Sequence, residues 1–179
     1  MIKWIIALCL VFAEIALGQA TIPLIAGAQL ESGMGSLPQA RTGTGIVRVT
    51  PFVGAWLMGI GYAKIGGSVW SSTLSDSNGV NHGWQERDFT TQIGVSLGGP
   101  QKPYIIGSFT RCSELTDLGD ATWREWGLGL GTFFTLSGYS AITLEVEHRW
   151  ITSHYDPLRD LNIDGTRIQM NLGFVVYFL

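Results

Sequence analysis

The side chains best equipped for chemistry gather near the end of the chain. In the stretch EHRWITSHYD at 147–156, His148, Ser153, His154 and Asp156 supply a hydroxyl, two imidazoles and a carboxylate. Those are the types that a nucleophile, its base and an orienting acid require, provided the first two come within about 3 Å of each other. A five-residue separation instead puts His148 and Ser153 on opposite faces of a strand. The spacing therefore favours one histidine in a band at a strand end and another in a polar loop over a catalytic set. Asp156, Asp160 and Asp164, with Asp117 and Asp120, offer oxygens to a divalent cation, but without the alternating acids of a calcium loop. Arg87, Arg124 and Arg159 are available to phosphate groups, or simply reach for water from strand ends.

Other chemistries are excluded more firmly. The chain has two cysteines, Cys9 and Cys112, too few for a paired-cysteine zinc site. The GLGLG run at 127–131 alternates within a strand and opens no helix, so it cradles no phosphate. We expect no cofactor and no metal. Lys and Arg number 11 against 14 Asp and Glu, which argues against a nucleic-acid binder.

The elements that must position these residues read with a period of two. At 166–179, Thr166, Ile168, Met170, Leu172, Phe174, Val176 and Phe178 alternate with Arg167, Gln169, Asn171, Gly173, Val175, Tyr177 and Leu179. That is the signature of a half-buried strand. At 141–153, Ile142, Leu144, Val146, His148 and Trp150 oppose Thr143, Glu145, Glu147 and Arg149. Further strands are expected at 86–98 and 123–136, and less regular ones at 22–31, 44–53, 57–72 and 103–114. The facing of 103–114 is undecided. Pro51 and Gly66-Gly67 suggest a turn or bulge, and the turn after the second strand is expected near Gly54. Long polar connections at 32–43, 73–85, 115–122 and 154–165 alternate with short ones, as in transmembrane barrels.

Composition fits that arrangement. Only 14% of residues are charged, 46% are hydrophobic and 24 are glycine, where a soluble domain carries about 25% charge and about 7% glycine. Residues 1–20 have a short basic start, an apolar run from Trp4 to Ala13 and small residues at Gly18 and Ala20. This is the layout of a cleaved secretory signal, leaving a domain at 21–179 with Cys112 alone and no internal disulfide.

Which face is wet separates a membrane barrel from a soluble lipocalin-like carrier. Glycines share a face with charges: Gly127, Gly129 and Gly131 with Glu125, and Gly94 with Asp88. A crowded polar lumen would hold Arg48, Glu86, Asp88, Glu125, Glu145, Glu147, Arg149 and Arg167, with both signs able to pair. After residue 20 the only lysines are Lys64 and Lys102, few for a solvated surface. Trp126, Trp150, Phe174 and Phe178 lie on apolar faces near strand ends, where interfacial girdles form.

The export signal, eight amphipathic strands and the ending Phe174-Val175-Val176-Tyr177-Phe178-Leu179 resemble small outer-membrane barrels of the OmpA/OmpX type. The resemblance implies an all-β, eight-stranded antiparallel up-and-down transmembrane barrel in the outer membrane of a diderm bacterium. It implies contact with outer-membrane lipids and lipopolysaccharide, and assembly by the barrel-assembly machinery through the C-terminal strand, here with Phe178 penultimate. The expected role is structural or surface-binding and non-enzymatic, with a surface partner the sequence does not identify. The alternatives are a small gated channel and a lipid A-modifying enzyme. The latter rests on a likeness to outer-membrane lipid A deacylases, from whose His-x-Ser pair His148 and Ser153 depart.

Overall fold

In the computed structural model, which describes residues 23–37, 42–57, 60–75, 81–98, 103–116, 119–156 and 161–178, eight strands follow one another around a closed barrel. They are β1 (Leu24–Leu37), β2 (Thr42–Leu57), β3 (Gly61–Ser75), β4 (Asn81–Ser96), β5 (Tyr104–Thr116), β6 (Gly119–Ser137), β7 (Ser140–Asp156) and β8 (Leu161–Phe178). Each pairs antiparallel with its sequence neighbour, and β1 closes the wall against β8 from Leu24↔Phe178 to Ser36↔Thr166. The fold is an eight-stranded transmembrane β-barrel. We call the end with Leu24, Phe178 and the short connections the turn end, and the opposite one the loop end.

Alternation decides what each strand shows to either side. On β7, Thr143, Glu145, Glu147 and Arg149 are buried in the lumen, while Leu144, Val146 and Trp150 face out and are exposed. On β8, Arg167, Gln169 and Asn171 point inward and Ile168, Met170, Leu172 and Phe174 outward. Leu130 is 61% exposed and Glu147 0%. A soluble protein rarely leaves so wide an apolar face open to water. A bilayer makes it the favourable side.

The lumen is layered. At the turn end Ile25, Phe52, Tyr62, Tyr104, Ile106, Phe133, Ala141 and Val175 form an apolar cluster, flanked by Trp56 and Tyr177. Phe133 packs between the Trp56 and Tyr104 rings, with centroids 4.8 and 4.7 Å away. This cluster explains three departures from the sequence expectations. The facing of 103–114 is ambiguous because Tyr104 and Ile106 point inward while Ile105 faces out. Gly54 is not near a turn: it lies inside β2, paired with Ile25 and Lys64. Residues 52–57 look like a break only because Phe52 and Trp56 add inward apolar groups to an outward apolar row. β2 thus runs to Leu57, which ends that strand instead of starting the next.

Strands also extend further towards the loop end than hydropathy suggests, shortening the connections; residues 38–41, 76–80, 117–118 and 157–160 lie outside the described residues. So do residues 1–22, which include the expected signal. Pro51 and Gly66-Gly67 lie within β2 and β3 and form no turn, but the ladder between these strands ends beside them, at Phe52↔Gly66.

Candidate functional site

Above the apolar layer, polar side chains from all eight strands meet across the lumen. Glu145 on β7 is a hub. The Tyr62 and Tyr104 hydroxyls each donate to its Oε1 at 2.9 Å, Lys64 Nζ at 3.1 Å, and Gln92 Nε2 donates to Oε2 at 3.0 Å. Asn171 adds a fifth donor at 3.2 Å and reaches Glu147 Oε1 at 2.8 Å. Glu147 also accepts from Ser108 and from Arg149 Nη2, the latter at 3.3 Å.

Nearer the loop end, Glu125 collects Arg149 Nη1 at 3.4 Å, Arg167 Nη2, and Trp123 Nε1 at 3.0 Å. Glu31 on β1 accepts from Arg48 Nε at 2.7 Å, Gln29 at 2.8 Å and Gln169 at 3.0 Å. Arg48 goes on to Asp88 and to Glu86 at 3.4 Å. A charge taken from water costs several kcal/mol unless it is paired and hydrogen-bonded, and this network supplies the partners.

Every residue of the expected lumenal set, Arg48, Glu86, Asp88, Glu125, Glu145, Glu147, Arg149 and Arg167, lies on the inner wall and joins this network. Sequence reasoning missed Glu31, Lys64, Gln29, Gln92, Gln169 and Asn171 as partners. A signal for Glu31 existed in the alternation of Gln29 and Glu31 with Ala28 and Leu30. The close packing also explains the glycines. A Cβ at Gly94 would overlap the Tyr62 ring, and one at Gly127 would meet Ser108 and Glu147.

Of the residues singled out for catalysis, only His148 has a described side chain. His148 faces outward, its ring edge-on to Trp150 at 4.6 Å between centroids. The backbone of Ser153, His154 and Asp156 belongs to β7, and their side chains lie outside the described residues. Between Ile151 and His154, β7 carries one residue more than β8. Such a bulge breaks strict alternation, so counting residues from His148 does not fix the facing of Ser153.

Trp126 and Trp150 face each other across the β6–β7 ladder on the outer surface, while Phe174 and Phe178 project outward towards the turn end. Arg87 and Arg124 are exposed on the outer wall, and Arg159 lies outside the described residues. Cys112 is a free, buried thiol. Glu86, Asp88 and Cys112 bring ligand atoms within 4.8 Å of one another, but Arg48 occupies the carboxylates.

The eight-stranded wall matches proteins of known structure. The Neisserial surface protein A, NspA, superposes with a TM-score of 0.63 at 11% identity, over 87% of this chain and 97% of that one. The outer membrane protein AlkL, solved in DMPC lipid bilayers, superposes with a TM-score of 0.51 at 11% identity, over 88% of this chain and 90% of that one. The chain shares the fold of small outer-membrane barrels. No protein-family model and no curated protein sequence matches it.

Proposed function

We propose that this barrel resides in the outer membrane of a diderm bacterium, reached through a cleaved signal at residues 1–20, with both chain ends in the periplasm. There it serves as a structural or surface-binding envelope protein without chemistry of its own. The observation that carries this reading is the filled lumen. An aromatic layer closes the turn end and a cross-braced ionic layer fills the middle, leaving function to the loop end and the outer wall. Small barrels have interiors just wide enough for side chains to fill. A membrane location is supported by the exposed apolar band and by the fold shared with NspA and AlkL. The partners proposed are outer-membrane lipids and lipopolysaccharide along the band, the barrel-assembly machinery at β8, and a surface ligand at the loops.

Two measurements test the role. Purified barrel in planar bilayers should pass no steady current, and open-channel conductance would favour the gated channel instead. Ser153→Ala and His154→Ala should leave the lipid A mass profile of the cells unchanged. A profile that depends on either residue would overturn the non-enzymatic reading in favour of a lipid A-modifying enzyme.

A further inference from the structure

Among the described residues, the wall has one incomplete boundary. Every other pair of neighbouring strands is laddered over thirteen or more residue pairs, whereas β2 and β3 pair over six, from Leu57↔Gly61 to Phe52↔Gly66. Both strands continue towards the loop end, β2 back to Thr42 and β3 on to Ser75, each still paired on its other side.

The sequence explains where the ladder stops. Trp56 N donates to Pro23 O and Ser96 N to Ile60 O. Even-numbered residues of β2 therefore turn their backbone groups to β1, and odd-numbered residues of β2 and β3 turn theirs towards each other. Pro51 is the next odd residue after Val53, and it has no N–H to give. Opposite it Gly66-Gly67 supplies no side chain to hold the strands together. Beyond that point the backbone groups of Val47, Val49, Gly67 and Val69 face a boundary without rungs. In hydrocarbon each unmet group costs several kcal/mol.

Side chains bridge the boundary instead. Arg48 reaches from β2 past β3 to Asp88 on β4, and Ser68 Oγ on β3 donates to the same carboxylate at 3.0 Å. Among the described residues, the buried Arg48 Nη2 here has no hydrogen-bond partner. Outside, Val47, Val49 and Val69 are exposed. We infer that the loop-end half of the β2–β3 boundary is a lateral opening, latched by Arg48 and Asp88, that admits the head of an amphiphile from the surrounding lipid.

Charge narrows the ligand class. Glu31, Glu86 and Asp88 all contact the Arg48 guanidinium, so its charge is already met by carboxylates and an anionic head is disfavoured at the latch. An uncharged head with hydroxyl or amide groups answers the open guanidinium donor with an acceptor oxygen and adds no charge, and its tail lies along the valines. This inference rests on the membrane-embedded reading above, which is checked separately by recovery in vesicles and by unboiled gel mobility.

The native thiol serves as the probe. Cys112 lies opposite Asp88 in the β4–β5 ladder, and in full-length chain carrying Cys9→Ser it is the only cysteine. In phosphatidylcholine vesicles, a dodecyl-tailed maleimide should label Cys112 about tenfold faster once Arg48→Ala or Asp88→Asn frees the latch, by favouring local opening. A sulfonated, water-soluble maleimide should gain little. Equal gains for both reagents, or no gain for the tailed one, would overturn the inference. Should neither variant fold, spin labels on the parent decide, in a background also carrying Cys112→Ser. The Val49→Cys/Val69→Cys pair should lie further apart than the laddered pair Val53→Cys/Ile65→Cys, and equal distances would refute the opening.

Discussion

The two faces of β7 meet opposite environments. Outward, Ile142, Leu144, Val146 and Trp150 present an apolar row interrupted only by His148; one residue along at each step, Glu145, Glu147 and Arg149 enter a dense polar network. The lesson concerns what each environment penalises. Lipid contact tolerates variation in apolar shape but not charge. The lumen tolerates charge but not an unmatched partner or an added atom. The same chemical change should therefore have opposite consequences on adjacent residues.

The largest effect is expected inside. Glu145→Ala strands Lys64 and removes the acceptor for both tyrosines, and breaking a buried pair costs about 3–5 kcal/mol. Urea unfolding in lipid vesicles, followed by tryptophan fluorescence, should show that loss; a midpoint within error of the parent would mean the network contributes nothing net. Next to it on the outer face, Val146→Arg should cost about 2–4 kcal/mol near the bilayer midplane. If Val146→Arg is silent in the same assay, that face does not contact lipid.

A smaller contrast uses glycine. Gly94→Ala drives a methyl into the Tyr62 ring, an overpacking expected to cost about 1–3 kcal/mol. Gly107 faces outward with nothing within 4 Å of an added Cβ, so Gly107→Ala should stay within about 0.5 kcal/mol of the parent. Equal effects would remove the distinction between a crowded lumen and an open wall. At the lower end of the Gly94→Ala range, Trp126→Ala removes a ring 4.6 Å from Phe109, worth about 1 kcal/mol, readable as a modest shift in the same unfolding curve.

Much of this was legible in residue order because one rule, alternation, governs most of the wall. The seven alternations from Thr166 to Leu179 predict a strand, and β8 covers Leu161–Phe178. The rule failed where a second physical demand was superimposed on it. In 103–114 and 52–57 the apolar layer at the turn end places Tyr104, Ile106, Phe52 and Trp56 inside, so both faces read as apolar. Towards the loop end, strands continue past the apolar band, where neither face needs to be hydrophobic and the period of two fades. Lys64 and Glu31 went unassigned because their partners Glu145 and Arg48 are far away in the chain and only barrel closure brings them together. Pro51 and Gly66-Gly67 marked a real irregularity, though only the ladder shows that it is an unpaired boundary and not a turn.

The central claim is that the apolar coat faces lipid and the charges are enclosed. Its most direct test is fractionation of expressing cells, with outer-membrane and soluble fractions run unboiled and boiled on one gel. The account predicts recovery with the outer membrane and a band whose mobility shifts on boiling, as a closed barrel resists detergent until heated. Recovery in the soluble periplasmic fraction with no heat-dependent shift would contradict it.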